Sequence, residues 1–515
     1  MDFGEKLIIT RPLYFKDSSS NCGYCHNKKE NKGDFYSLKS WNDKQEEFQF
    51  SNSTVGFQSE RMSIEMYDRL CNMGCRRSGN FLYKCDMLRN CCRLYTIRTT
   101  KEQVNIDKDL KKSLTRFKKH ISGSDESQPK SNSKAKHQQP YNFVKEIKQI
   151  EKNSTSFTTQ FEPAVFTEEK YNLFVRFQEK IHKDFKNSQK SFKRFLCDSP
   201  FPEENLMGTK EEWEQLNNWK DLDDDEYITR LGPTHECYYF ENKLIAFAVI
   251  DFMPSGLSSV YFVWDPDYAK WSLGKVSALH ELAISTKIKN GYYYLGYYIS
   301  DCSKMSYKGK YGGEILDVCS RNYVPLSKLE PYIKGSRFFV MNSENQIVDE
   351  QDSPLEEVAI DKNMKIFNLP SIQTDILQNI VENIYGVNGK AMLSSNSAAK
   401  KLNELGIPFS EEDINGIPLD KAAEQDIDAI FKDNEKIDPI PNVLPGLVPL
   451  YELLEMIISK EINKLNNSLL IFDTELGGMR FLRSFDDENP SNKRIICDTV
   501  RFLGLNNALD TIIII

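Results

Sequence analysis

Cys22-Gly23-Tyr24-Cys25 is a CxxC, a spacing that lets two sulfurs point at one ion from a tight turn, with Gly23 easing the backbone. A second pair, Cys91-Cys92, lies 66 residues beyond Cys25. Four thiolates suit a tetrahedral Zn2+ or an iron–sulfur cluster, and the adjacent pair demands an irregular backbone if both side chains are to face one centre. Free, partly buried thiols are the competing reading. Cys71 and Cys75 would be alternative ligands on a helix, with packing as their plainer role. Between the pairs, the strip from Gly74 to Lys84 sets Arg76, Arg77, Ser78 and Lys84 among glycines and aromatic residues. Such a strip can hold a carboxylate or phosphate through charge-assisted hydrogen bonds, although an ordinary basic surface loop has the same composition.

A second group lies near the middle of the chain. Ser272-Leu273-Gly274-Lys275 opens a helix after a strand and a loop, where free backbone N–H groups can hold an anion. Asp265 and Asp267 end the preceding strand, where they could accept a proton, hold a cationic group, or simply form the Asp-Pro-Asp turn. His235 and His280 are isolated and read as structural. Tyr292, Tyr293, Tyr294, Tyr297 and Tyr298 read as sheet packing, with one face able to stack a base.

The elements that must position these groups are clearest between 235 and 299. CYYF, an ENK turn and LIAFAVIDF read as a β-hairpin; SSVYFVW is a strand and DPDYAKW a loop. KVSALHELAISTKIKNG is a helix closed by Gly291, and YYYLGYYI the next strand. The result is an α+β arrangement with a helix across a mostly antiparallel sheet. Upstream, TEEKYNLFVRFQEKIHKDF has helical spacing with Thr167 as N-cap. Residues 101–120 carry seven Lys/Arg against three Asp/Glu and suit a basic helix, while 121–140 read as a disordered linker. Residues 203–226, with ten Asp/Glu and two Lys, read as a solvated acidic loop. Later, DILQNIVENIYGV, GLVPLYELLEMIISKEINKL and TVRFLGLNNALDTI read as helices. The expected organisation is a Cys-rich region at 1–100, a basic helix and linker at 101–140, a catalytic domain at 141–320 and a mostly helical extension at 321–515.

A chain of 515 residues has room for several domains. A mean hydropathy of -0.53 and the lack of an apolar run near ~18 residues exclude a transmembrane helix. The net charge of -8 argues against a protein coated in basic charge but permits a local basic groove. No export signal is read, so a cytoplasmic location is expected, with the nucleus as a second. There, clustered cysteines point to metal or free thiols rather than to disulfides.

CGYC, MYDRLCNMGCRRSGNFLYK with CCRLYTIR, and the block SSVYFVWDPDY, SLGKVSAL, YYYLGYYI and KMSYKGKY resemble the eukaryotic arginyl-tRNA–protein transferases in a fungal form, over about residues 20–100 and 165–312. The resemblance implies a GNAT-like (acetyltransferase-like) catalytic fold. It implies transfer of arginine from arginyl-tRNA to the N-terminal amine of proteins beginning with Asp, Glu or oxidised Cys, which marks them for ubiquitin-dependent degradation in the N-degron pathway. Cys22, Cys25, Cys91 and Cys92 match the family's metal-binding cysteines, with iron–sulfur and zinc both fitting the ligand set. Two positions depart from the family pattern. Cys85 stands where a proline is expected, and His280 where an arginine is, which removes a permanent positive charge from that helix.

The reaction is aminolysis of an already activated ester, so neither ATP nor CoA is expected. Alignment of two bound substrates and stabilisation of the oxyanion carry it. Asp265 is the catalytic candidate, near the reacting amine or the arginyl guanidinium. Ser272, Gly274 and Lys275 are candidates for the tRNA acceptor end. Lys111, Lys112, Arg116, Lys118, Lys119, Lys304, Lys308 and Lys310 are candidates for its phosphates. Arg76, Arg77, Ser78 and Lys84 are candidates for reading the acidic N-terminal side chain. The expected partners are arginyl-tRNA, proteins with acidic N-termini and a ubiquitin ligase of the same pathway, with no membrane. Two other functions compete. An acyl-CoA N-acetyltransferase would show R/Q-x-x-G-x-G/A, which Trp271-Ser272-Leu273-Gly274-Lys275-Val276 does not supply. A non-enzymatic redox sensor or scaffold would use the cysteine cluster alone.

Overall fold

The computed structural model describes residues 6–17, 22–26, 52–122, 141–334, 337–339, 384–386, 389–409, 417–418, 440–474 and 477–515. The strands begin with β1 (Leu7–Thr10), β2 (Leu13–Asp17), β3 (Asn52–Arg61), β4 (Arg76–Ser78), β5 (Phe81–Cys85), β6 (Tyr95–Thr99) and β7 (Phe157–Pro163). They continue with β8 (Gly232–Phe240), β9 (Lys243–Met253), β10 (Gly256–Trp264), β11 (Tyr292–Tyr298), β12 (Glu314–Asp317) and β13 (Asn322–Pro325). The last are β14 (Ile417–Pro418), β15 (Leu470–Asp473), β16 (Gly478–Phe481) and β17 (Thr511–Ile514). The chain forms a mixed α/β protein with two sheets. It falls into two compact units: Met1–Ile97 with Tyr297–Gly309 and Glu314–Ile515, and Arg98–Gly296 with Lys310–Gly313.

In the first unit a sheet runs in the order β14-β2-β3-β1-β17-β15-β16, with the β4–β5 hairpin attached to β3. β17 lies parallel between β1 and β15, pairing Leu7 with Thr511 and Leu470 with Ile512. The extension beyond residue 320, expected to be mostly helical, holds more helix than strand among its described residues, and its strands are the unexpected part. Helices Lys390–Glu404, Leu450–Ile458 and Pro490–Leu503 are present, but β15, β16 and β17 build a sheet with the N-terminal strand. The reason is local: the β-branched run Ile512–Ile515 favours extended backbone, and four residues are too few to show a period. Leu402, Leu453 and Val500 from the three helices pack with Ile471 and Ile513 in one core. The helix expected at DILQNIVENIYGV lies outside the described residues except for its last turn at 384–386, and most of the expected linker, 123–140, also lies outside them.

In the second unit the strands run β11-β10-β9-β8-β7. β8 and β9 form the expected hairpin. Its turn residues Glu241 and Asn242 both have positive φ, the type I′ geometry that matches strand twist. Helix Leu273–Ser285 crosses from β10 to β11, which makes that pair parallel. The two strands pair only from Gly256–Tyr292 to Ser258–Tyr294. A Cβ on Gly256 would fall 2.0 Å from the Tyr292 carbonyl oxygen, so the close approach requires glycine. The acidic stretch 203–226 is not a loop: helices Glu203–Met207 and Lys210–Asn217 run through it, the second opened by a Thr209–Glu212 capping box and anchored by buried Leu216 and Trp219. No helix among the described residues is long and apolar enough to cross a membrane.

Candidate functional site

The four predicted cysteines meet. Cys22, Cys25, Cys91 and Cys92 are buried, and their sulfurs all lie within 4.8 Å of one another. The CxxC sits in a turn closed by the His26 N–H donating to the Cys22 carbonyl, 2.9 Å. The irregular backbone needed by the adjacent pair is built by a residue that sequence reading missed. Asp86 is fully buried and accepts from the Leu88 N–H (2.9 Å), the Arg89 N–H (3.1 Å), the Arg89 guanidinium (2.8 Å) and the Tyr14 hydroxyl (2.8 Å). Those bonds curl 86–90 so that both sulfurs turn inward. Its signal in sequence is only an Asp placed just before a Leu-Arg-Asn turn. Cys71 and Cys75 are buried elsewhere and are not in this set, in line with their packing role.

The donor set fits a metal. A single tetrahedral ion with ~2.3 Å Zn–S bonds places its sulfurs about 3.8 Å apart. Three of the six separations are 3.7 Å for Cys25–Cys91, 3.9 Å for Cys22–Cys92 and 3.9 Å for Cys91–Cys92, and the others stay within 4.8 Å. Cys85, Leu94, Tyr297, Ile299 and Cys302 wall the site, and the Cys302 thiol donates to the Tyr24 carbonyl at 3.2 Å.

The basic strip is buried rather than a surface loop. Arg76 donates to the Cys71 and Cys75 carbonyls and lies 5.9 Å from the Tyr297 ring. Arg77 donates to the Gly79 carbonyl, and Ser78 pairs with Phe81 in the β4–β5 hairpin. Lys84 donates to the Gly446 and Phe502 carbonyls at 3.0 and 3.3 Å, and burial pulls its amine down to about 8. Lys308, half-buried, makes no hydrogen bond or ion pair among the described residues. Burial, and then the Arg76 charge, lower it to about 8 as well. Lys304 reaches His26 Nε2 at 3.0 Å.

In the second unit, Ser272 adopts a left-handed φ of 60° and starts helix Leu273–Ser285 without any side-chain cap, so Gly274 and Lys275 lie in an uncapped first turn. Arg116 donates to Ser272 Oγ at 3.3 Å, and Lys275 pairs with Asp109 at 2.6 Å. Both partners come from the basic helix Lys108–Ile121, whose Lys112, Arg116, Lys118 and Lys119 are exposed and whose Lys111 lies 4.7 Å from the Tyr141 ring. Lys310 is exposed.

Asp265 is 1% exposed and already neutralised. It accepts from Lys243 at 2.8 Å, from Arg176 at 3.2 Å and from the Asp267 N–H at 3.1 Å, capping the short helix Pro266–Trp271. Arg176 and Lys243 were not legible as its partners, being 89 and 22 residues away. His235 is structural as expected, bonded to Lys170 and the Leu196 carbonyl. So is His280: it sits buried between Glu151 and Glu236, so the position where the family pattern expects arginine belongs to the core rather than to an RNA face.

Glu281 beside it is a carboxyl that sequence reading also missed. Burial, then the nearby Glu236 charge, raise it to about 7. It accepts from the Ser277 hydroxyl at 2.9 Å. Because its folded pKa stands above the unfolded value, the stability it confers is present below about pH 4.5 and is lost as pH climbs to about 7. Glu281→Gln keeps the Ser277 bond without the charge. We expect it to gain up to ~3 kcal/mol over the parent at pH 8 and nothing near pH 4.5, read as the difference in melting temperature at the two pH values. An equal gain at both would remove charging of Glu281 as the cause.

Comparison with known proteins bears on what the chain does. The family model for arginine-tRNA-protein transferase, N terminus, matches residues 20–112, and that for the C terminus matches 169–317. Arginyl-tRNA–protein transferase 1 of Saccharomyces cerevisiae (strain ATCC 204508 / S288c) is 44% identical over 99% of both chains. Arginyl-tRNA–protein transferase 2 of Arabidopsis thaliana is 36% identical over 37% of this chain and 31% of its own. An aspartate/glutamate leucyltransferase of Pseudomonas syringae pv. syringae (strain B728a) is 27% identical over 49% of this chain and 80% of its own. With near-full-length identity to the yeast protein and both family models matched in order, this chain belongs to the arginyl-tRNA–protein transferase family.

Proposed function

We propose that the protein transfers arginine from arginyl-tRNA to the N-terminal α-amine of proteins that begin with Asp, Glu or oxidised Cys, as the enzyme that marks them for ubiquitin-dependent degradation. The observation that carries this is 44% identity over nearly the whole length of a protein named arginyl-tRNA–protein transferase. Nothing in the comparisons favours an acyl-CoA acetyltransferase or a scaffold. The neutral amine attacks the arginyl carbonyl, the ester C–O bond breaks, and the ribose oxygen leaves with the proton.

The second unit is proposed as a GNAT-like catalytic domain. The support is the parallel β10–β11 pair that ceases to pair after three residues, with a crossover helix between. We assign the uncapped turn at Ser272, Gly274 and Lys275 to the acceptor end, and Lys111, Lys112, Arg116, Lys118 and Lys119 to tRNA phosphates. Asp265 is assigned as a positioning residue: paired with Arg176 and Lys243, it fixes the helix Pro266–Trp271 that delivers Ser272.

The first unit is proposed to read the acidic N-terminal side chain and to hold the metal. Lys308, a phosphate candidate in the sequence, is a cation short of a partner beside Arg76, and we assign it instead to an incoming carboxylate that would complete it; Lys84, Arg77 and Ser78 hold the surrounding strands. We favour one tetrahedral ion, zinc or a single iron, over an iron–sulfur cluster, which spreads its thiolates over several irons; the support is that all four sulfurs lie within 4.8 Å of one another. Such an ion, when bound, would fix the CxxC turn against the Cys91-Cys92 loop. Twelve free cysteines suit a reducing compartment, the cytoplasm and the nucleus, with a ubiquitin ligase as downstream partner.

The test is labelled-arginine transfer from charged tRNA to peptides beginning Asp, Glu or Ala. Asp and Glu peptides are expected to be labelled and Ala peptides not; no transfer to any of the three overturns the proposal. Since Lys308 carries its proton below about pH 8, the Asp-over-Ala ratio of kcat/KM is expected to fall about tenfold from pH 7 to pH 9, and Lys308→Met to show the low ratio at both. Taking the ratio cancels the titration of the attacking amine.

A further inference from the structure

We infer that the segment from Lys180 to Arg194, in the second unit, is an RNA-docking loop that holds phosphates on its lysines and stacks an unpaired base on Phe185. The inference rests on the transfer reaction only for the identity of the RNA.

Residues 178–194 read QEKIHKDFKNSQKSFKR, six Lys/Arg against two Asp/Glu in a chain whose net charge is -8. Short π-helical turns at Gln178–His182 and Lys193–Cys197 bracket the segment, and Lys183 ends the first in a left-handed conformation. This geometry turns the intervening chain outward. Every residue from Lys180 to Lys190 except Asn187 is exposed. The apolar residues at either end behave as core: Phe174, Phe177, Phe192 and Leu196 are buried together with Phe247. Phe185 does not join them. It is 72% exposed, and Ile181 is 42% exposed.

Phe185 is the most exposed large apolar side chain among the described residues, so its ring stands open to a partner. Aromatic rings set among cations are what single-stranded nucleic acid uses, because every base has a face to stack and every nucleotide a charge to neutralise. Lys183, Lys186 and Arg194 make no ion pair among the described residues. Lys180 reaches Asp267 at 3.5 Å, with both side chains more than half exposed, a pair weak enough for a phosphate to replace.

The loop is also continuous with the basic helix. Arg176 and Lys180 grip Asp267 at one end of the short helix Pro266–Trp271. At its other end His120 stacks on Trp271, 5.0 Å apart and 4° from parallel, and Arg116 bonds Ser272. Two cationic elements thus flank one short helix and the uncapped turn that follows it. A tRNA laid along them would be held on both sides of the acceptor end. An acidic peptide would match the charge but would leave Phe185 without a role.

The experiment uses the full chain and compares Lys183→Ala/Lys186→Ala and Phe185→Ser with the parent, after checking that melting temperatures agree. Binding of uncharged tRNA is titrated at several salt concentrations, and KM is measured separately for arginyl-tRNA and for an Asp peptide. The double variant should flatten the log–log salt slope by about 1.5, as loss of two phosphate contacts requires. Phe185→Ser should weaken tRNA binding about tenfold at every salt concentration. Both should raise the KM for arginyl-tRNA and leave that for the peptide unchanged. Unchanged tRNA binding and slope overturn the inference, and so does an effect confined to the peptide KM, which would make the partner a polypeptide. Failure of the parent to transfer arginine would sink the proposed reaction, while direct tRNA binding would still decide the loop.

Discussion

Ending the chain after Asp510 is expected to abolish folding of the first unit. The five residues removed, Thr511–Ile515, include the whole of β17, which is parallel to β1 on one side and β15 on the other. Its loss leaves two inner strands facing an empty ladder position. It also removes Ile512 and Ile513, both buried, at roughly 1.5–3 kcal/mol each before any cavity term. Together with the unmade backbone bonds, that rivals the ~5–15 kcal/mol that typically holds a domain together. The measurement is soluble yield and proteolysis of the truncated chain, with the fragment Arg98–Gly296 followed by mass spectrometry. Ile513→Ala is the graded version, expected to lose ~2–5 kcal/mol while still folding. A truncated chain that melts like its parent would show that β1 and β15 do not depend on β17.

That strand also shows where sequence reading stops. The hairpin β8–β9, the strand β10, the crossover helix and β11 were legible because each carries its own local signal: Glu-Asn at the turn, aromatic and β-branched runs, Gly291 after the helix. Thr167 was legible as a cap and does accept from the Lys170 N–H. The strand β17 was not, because its partner β1 stands at the other end of the chain, Leu7 against Thr511, and nothing within Ile512–Ile515 names Leu7–Thr10. The sites divide the same way. The cysteine set was legible because sulfur has few other uses at CxxC spacing, whereas the basic strip was left open between an anion site and a surface loop: Arg76, Arg77 and Lys84 are buried. Their carbonyl partners are backbone atoms, one set from Gly446 and Phe502, which no residue type advertises. Asp265 was found as a carboxylate at a strand end, but its role turned on Arg176 and Lys243, visible only once the fold brings them within hydrogen-bond reach.

Cys25→Ser is expected to lose the bound metal and to lower the melting temperature of the first unit more than any other single side-chain change in this part of the protein. Four sulfurs within 4.8 Å are stable only if shared protons or a cation offset their mutual repulsion. Accordingly, Cys91 and Cys92 are raised far above an ordinary thiol, first by the Cys22 thiol and then by Cys25. A metal replaces those protons, and structural zinc sites bind with apparent energies of ~10–16 kcal/mol at neutral pH, on the scale of a domain's whole stability. Serine is nearly isosteric but a poor ligand for a soft site, so the hole stays filled while the ion is lost. Metal content by elemental analysis and absorbance reports the result: a colourless protein with one zinc, a single-iron spectrum, or several irons with sulfide tells which metal the four cysteines hold. Cys302→Ser is the control. Its thiol packs against the same cluster and donates to Tyr24, yet it is outside the four-sulfur set. It should keep the metal and lose little stability. Metal retained in full by Cys25→Ser, or lost by Cys302→Ser, would mean that the ligand set is not Cys22, Cys25, Cys91 and Cys92.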